Sequence, residues 1–331
     1  MSLTRARAMK PLGVAVIGAG PWGGTLARTF ARVPGVELRW ICELDENRRS
    51  EAGAAHPAAS ITAALDDVLA DPAVRAAVVA VDAPRHHSVG LQVLSADRHL
   101  LVEKPLALSV TDAAALCETA TVRARVLTVG HLLLHHPAVQ RAKQLLKDGA
   151  LGRPLYFEAA RTVTGTTRRG QSAWWTLAPH DVSLALHLFD DAPVTVSAVA
   201  SRSGSDTDVA TFATLHFADG RLAHLHAARF AATRERRFSI VGTDRALSFD
   251  ELETSPTIRL SEPTLSGPGV TIEQIAIGAA DPLFAQCLHF ISCVARGDTA
   301  GGNAAHALAV VRVLEAGARS MAASGAPVEV A

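Results

Sequence analysis

LGVAVIGAGPWGGTLARTF, residues 12–30, decides how the rest of the chain is read. A short β-branched run breaks at Gly18, and a helical pattern follows with Leu26, Phe30 and Val33 on one stripe. Between them, Gly18-Ala19-Gly20-Pro21-Trp22-Gly23 spells GxGxxG. In isolation that spacing says little. Between a strand and a helix each glycine has a reason: a tight turn, a close approach of backbone to a pyrophosphate, and close helix–strand packing. The helix start then offers amides and the positive end of its dipole to phosphates. Pro21 lacks an amide, but proline suits the first helical position. The stretch therefore predicts a dinucleotide-binding loop, the alternative being a glycine loop around packed backbone.

Outward from this loop, the strand VELRWIC (36–42) runs into Glu43. A carboxylate there can accept from a ribose 2′-hydroxyl and repels a 2′-phosphate, which favours NAD. Arg48 and Arg49, just downstream, keep NADP open. The runs AAVVAV (76–81), HLLVE (99–103) and RVLTVG (125–130) repeat the strand pattern, with helical stretches around 62–70, 85–96 and 110–122. Near-continuous apolar strands alternating with helices predict a doubly wound parallel sheet, a Rossmann domain over residues 10–130. After it the texture changes. A helix (138–148) and the strand PLYFEAART lead to WWTLAPHDVSLALHLFD (174–190), expected as a helix that Pro179 starts. Strand-like runs follow with hairpin turns at ADG (218–220) and GTD (242–244), and helices near 281–296 and 303–323 close the chain. Residues 131–331 thus read as an α+β domain with a mainly antiparallel open sheet. MSLTRARAMK reads as a disordered leader, and SRSGSD (201–206) and SEPTLSGPG (261–269) as long loops.

Composition excludes several classes. With 331 residues the chain exceeds one compact core, and 32 basic residues balance 32 acidic ones. No general attraction to nucleic acid or to an acidic membrane follows. No apolar run reaches the roughly 18 residues that span a bilayer. Four cysteines, Cys42, Cys117, Cys287 and Cys293, lie among aliphatic residues without a CxxC pair, so core thiols in a reducing cytoplasm are expected. Of 14 histidines, His86-His87 and His135-His136 are adjacent and share no helix face, and His224 and His226 lack an evident third ligand. No metal is expected.

Two further motifs carry chemistry. Glu103-Lys104-Pro105 follows HLLVE, and in an open α/β sheet ligands gather beyond the carboxyl ends of the strands. The plain alternative is a solvated lysine at a strand exit. His180-Asp181 stands in an apolar run that gains nothing from an imidazole beside a carboxylate unless something uses them. With VAVIGAGPWG, the EKP of LLVEKPLA, VGHLLLHHPAVQ, LGRPLYFEAAR, APHDVS and IVGTDRALSFDEL, the sequence resembles the Gfo/Idh/MocA family of NAD(P)-dependent sugar and cyclitol oxidoreductases over about residues 12–325. VGHLLLHHPA, WxLAPHDVS and the Trp-Gly of the loop look most like its nucleotide-sugar branch.

The resemblance makes Lys104 the lysine that positions the reacting hydroxyl or carbonyl and His180 the proton-transfer residue. It puts Arg161, Thr176 and Asp181 on the substrate side, and Gly18, Gly20, Pro21, Trp22, Gly23, Glu43, His87, Glu103 and Lys104 around the dinucleotide. An imidazole titrating near neutrality suits proton transfer, and an ammonium beside the oxygen stabilises developing alkoxide. At a helix start the dipole would favour neutral His180, against Asp181. His187, seven residues on, is expected as a core histidine with a partner. Asp82-Ala83 stands where the family has Thr-Pro, and Ser183 matches the nucleotide-sugar branch. Thr176 replaces an aspartate of many relatives, and a hydroxyl cannot act as a base near neutral pH. Relatives use the second sheet to form dimers or tetramers, so a homo-oligomer is expected. The rival to an enzyme is a non-catalytic NAD- or sugar-sensing regulator of the same fold.

Overall fold

The computed structural model describes residues 11–165, 172–203, 207–262 and 270–331. The expected leader lies outside them, as do parts of both expected long loops. The described chain divides into two compact units. The first comprises residues up to Ala107, Asp112–Gly130 and Leu283–Ala304; the second comprises Leu108–Thr111, His131–Pro282 and Ala305–Ala331.

In chain order the first elements are β1 (Leu12–Ile17), α1 (Pro21–Phe30), β2 (Val36–Cys42), α2 (Glu46–Ala55), β3 (Ser60–Thr62), α3 (Leu65–Ala70), β4 (Val74–Val79), α4 (His86–Ser95), β5 (His99–Val102), α5 (Val110–Val122) and β6 (Leu127–Val129). The six strands form one parallel sheet in the order β3-β2-β1-β4-β5-β6. Val14, Val16, Val78 and Leu101 are fully buried, as strands covered on both faces must be. The order reverses between β1 and β4, the switch point at which such sheets bind ligands. Neither α2 nor β3 was expected. The polar, weakly patterned α2 (ENRRSEAGAA) buries no residue and so gives no periodic signal.

The second unit carries α6 (Pro137–Lys147), β7 (Pro154–Thr162), α7 (Ala173–Phe189), β8 (Thr195–Arg202), β9 (Asp208–His216), β10 (Leu222–Ala228), β11 (Glu235–Gly242), β12 (Ala246–Asp250), β13 (Thr257–Glu262) and β14 (Val270–Ala276). The chain continues through α8 (Pro282–Arg296), α9 (Ala304–Ala322) and β15 (Val328–Glu329). One sheet runs β14-β13-β12-β11-β7-β10-β9-β8-β15, with neighbours antiparallel except β7 beside β10. The hairpins at 218–220 and 243–245 join β9 to β10 and β11 to β12. Strands β13, β14 and β15 are not expected from the sequence. Nor does α8 belong with the rest of residues 131–331: its Cys287, Phe290 and Val294 pack into the first core beside Val14, Leu26 and Phe30.

Two corrections concern α7. The helix starts at Ala173, six residues before Pro179, and Ser172 caps it by accepting from the Trp175 amide at 3.1 Å. Pro179 is buried inside the helix, where its missing N–H leaves the Trp175 carbonyl without its usual bond. His180 is therefore a mid-helix residue, and the dipole effect expected of a helix start does not apply to it. Trp174 anchors the helix: its indole donates to Leu314 O at 2.7 Å, and a side chain at Gly317 would come within 2.3 Å of its ring. Among the described residues no helix is long and apolar enough to cross a membrane.

Candidate active site

The glycine loop is built as its spacing required. Gly18 has φ of +93°, and a Cβ there would sit 2.6 Å from Ala80 O; a Cβ on Gly23 would sit 1.9 Å from Gly18 O. These two close the turn and pack helix on strand. Gly20 differs, because a Cβ there would meet nothing nearer than an Arg48 guanidinium nitrogen at 3.9 Å. The open face lies at the N-cap of α1, with Pro21 at its first position and no side-chain cap. Uncapped first-turn amides beside an open glycine fit a dinucleotide pyrophosphate.

Glu43, buried at the end of β2, accepts from the Ala19 amide at 2.6 Å and the Asp45 amide at 3.0 Å. Its carboxylate thus holds the glycine loop, and lone pairs remain on both oxygens for a ribose diol. Arg49 donates to the carbonyls of Glu43 and Leu44 at 3.0 and 2.6 Å, bracing the same turn.

At the end of β5, Glu103 is buried and accepts from the Lys104 amide at 3.2 Å. Burial pushes its carboxyl up, while a hydrogen bond from the Trp22 indole and the Lys104 charge pull it down. Gly130 has no side chain where one would lie 2.7 Å from the carboxylate. His87, the expected histidine, is partly exposed with Nδ1 3.3 Å from Asp112. Its neighbour His86, which the sequence reading passed over, is buried with Nδ1 2.7 Å from Pro105 O and Nε2 3.0 Å from Val81 O. Only its place in a His-His doublet before EKP could have signalled it.

The second unit holds Arg161, Thr176, His180 and Asp181. Arg161, the penultimate residue of β7, grips Asp181 through Nε and Nη2 at 3.0 to 3.2 Å and reaches Glu251 at 2.9 Å. Burial opposes the Arg161 charge, but the two carboxylates outweigh it and raise the guanidinium above its ordinary value. Burial pushes the Asp181 carboxyl up, while the charge and the two-point hydrogen bonding of the same arginine pull it down. Glu251 lies within the stretch IVGTDRALSFDEL, but nothing in that stretch pairs it with an arginine 90 residues earlier.

Thr176 donates to Ser172 O at 2.5 Å and accepts from Arg229 Nη1 at 3.0 Å, so its single hydrogen is already engaged. Ser183 meets His306 Nε2 at 2.8 Å, and burial, then the nearby His187, pull His306 down to about 4. His187 departs from expectation: its Nε2 is buried without a hydrogen-bond partner among the described residues. His224 meets Thr214 at 3.2 Å, and His226 stacks on Phe212 at 4.5 Å. Cys42, Cys287 and Cys293 are buried, whereas Cys117 is partly exposed.

Residues 12–131 match the family model described as "Oxidoreductase family, NAD-binding Rossmann fold", and residues 139–248 match the GFO/IDH/MocA C-terminal domain. The UDP-N-acetylglucosamine 3-dehydrogenase of Acidithiobacillus ferrooxidans is 31% identical over 284 residues, 85% of this chain and 88% of that protein. A solved structure of that enzyme from the same species aligns with a TM-score of 0.83 at 26% identity, over 94% of this chain and 98% of the other. GenD2 from gentamicin A biosynthesis, solved in complex with NAD, gives a TM-score of 0.83 at 27% identity over 100% and 99% of the two chains. With both domains matched and a relative above 30% identity along most of its length, the chain belongs to the Gfo/Idh/MocA family and is an NAD(P)-dependent oxidoreductase.

Proposed function

We propose that the chain moves a hydride between a secondary alcohol of a sugar, cyclitol or nucleotide-linked sugar and a nicotinamide dinucleotide, with NAD preferred. The observation that carries this reading is the buried Glu103 carboxylate holding the Lys104 amide at the carboxyl edge of β5. The names of the relatives, among them UDP-N-acetylglucosamine 3-dehydrogenase and inositol 2-dehydrogenase, support the substrate class. A bound nicotinamide supplies the hydride acceptor or donor. The first-turn amides of α1 and the open face at Gly20 bind the pyrophosphate, and Glu43 accepts from the ribose. Lys104 stabilises negative charge developing on the reacting oxygen, and His180 takes or returns its proton. The Arg161–Asp181 pair pins α7 and so orients the neighbouring His180.

Incubation with NAD and a panel of sugars, cyclitols and nucleotide sugars, followed by NADH absorbance, tests this. Turnover of at least one member is expected; NADH binding without turnover of any would instead support a sensor. The engaged Thr176 hydroxyl favours that second reading, because it supplies neither charge nor a base. We also propose a homo-oligomer through the second sheet, whose Tyr156, Val199, Phe212 and Leu222 are 39 to 50% exposed. Sedimentation as a monomer would remove that proposal. The buried thiols fit a reducing cytoplasm, and recovery of the native protein from an oxidising compartment would contradict that location.

A further inference from the structure

We propose that His86 is a positioning residue for Lys104 and works as an imidazolium, donating from both ring nitrogens to backbone carbonyls. The kinetic half of this inference rests on the role proposed for Lys104; the structural half does not. The ring is 1% exposed, with Nδ1 2.7 Å from Pro105 O and Nε2 3.0 Å from Val81 O. Val81 lies two residues beyond β4, and Pro105 directly follows Lys104, so one side chain ties the exits of two neighbouring parallel strands. A carbonyl oxygen only accepts. A neutral imidazole carries one N–H, and its other nitrogen would turn a lone pair toward a carbonyl oxygen at one of these distances. Only the doubly protonated ring satisfies both contacts.

The surroundings pull both ways. Burial is the largest influence and pushes the ring toward its neutral form, as does the Lys104 ammonium. Its place as the first residue of α4, at the positive end of the dipole, adds to that push. The carbonyls of Pro105 and Val81 and the Asp82 carboxylate hold the charge. His87, next in the chain, faces Asp112. The contacts decide in favour of the cation, because desolvation favours a neutral ring that these two carbonyls cannot accommodate. Loss of the proton releases one carbonyl and frees the turn that carries Lys104, so turnover falls on the alkaline side as His86 titrates.

Full-length protein labelled with 15N-histidine tests the charge through two-bond correlation spectra, with His86 assigned by its disappearance in His86→Gln. Two protonated ring nitrogens at neutral pH are expected; a neutral ring with a single tautomer overturns the proposal. In kinetics, His86→Gln, which can donate from a single nitrogen only, is expected to lower kcat about tenfold or more with NADH affinity held within about twofold, and to shift the alkaline limb of the pH profile. A wild-type kcat and profile in His86→Gln, beside an inactive Lys104→Ala, overturns the positioning role alone. An active Lys104→Ala removes the proposed role of that lysine, while the spectrum still decides the charge of His86.

Discussion

In the first unit Glu43, Glu103 and His86 bond to backbone, although His87 meets Asp112 and the Trp22 indole also reaches Glu103; in the second unit Arg161, Thr176 and Ser183 each bond a distant side chain. Glu43 closes on two amides, Glu103 on one, and His86 on two carbonyls. Arg161 instead needs Asp181 and Glu251, Thr176 needs Arg229, and Ser183 needs His306. Backbone groups are present whatever the sequence, so the first arrangement tolerates change in its neighbours. Side-chain clusters fail when one member is lost, because the remaining charge stays buried and uncompensated.

The largest effect expected from that contrast is on stability. Asp181→Asn leaves Arg161 half-paired in the core and should cost about 3–5 kcal/mol in chemical denaturation. Replacing both partners with apolar residues of similar volume should cost less than the single change. Equal losses for the single and the paired replacement would break the comparison.

Next comes acid sensitivity, to which each unit contributes a histidine pulled down to about 4. Burial, then Arg125 and Arg75, pull His99 down to about 4, and its Nδ1 accepts from the Val126 amide at 2.9 Å. Burial and His187 do the same to His306. A depressed histidine binds fewer protons folded than unfolded, so its stabilisation is complete above the unfolded value near 6.5 and is lost as pH falls toward about 4. Each should contribute on the order of 3 kcal/mol to that loss. Stability measured through this window should drop steeply in the wild type and less so in His99→Asn and His306→Gln; slopes unchanged by either substitution would contradict the assignment.

The smallest effect is on cofactor choice. Glu43→Ala removes a charged acceptor together with a brace on the glycine loop, so NADH affinity should fall about tenfold or more and NADPH affinity less. Direct titration of both dinucleotides checks this, and parallel losses would leave Glu43 with the loop-bracing role alone.

The same contrast explains what could be read from the sequence. GxGxxG, Glu43 and EKP were legible because their partners are backbone atoms at fixed local spacing, and the strand pattern around them is strongly apolar. The Arg161–Asp181–Glu251 cluster was not, since its members lie 20 and 90 residues apart and no periodicity links them. Pro179 misled because proline so often opens a helix; here Ser172 and Asp208, which accepts from the Trp174 amide at 2.8 Å, had already started it. The return of α8 to the first core left no local mark either, since an apolar helical face does not say which sheet it covers.

The most direct test of the account is the pH dependence of kcat/KM, on a substrate found in the panel, for wild type, His180→Asn and Lys104→Ala. His180→Asn should bind NADH as the wild type does. Each variant should lose about 10²- to 10⁴-fold in kcat/KM, and the limb of the wild-type profile set by the imidazole should vanish in His180→Asn. A His180→Asn profile matching wild type in shape and magnitude, or full turnover by Lys104→Ala, would contradict the account.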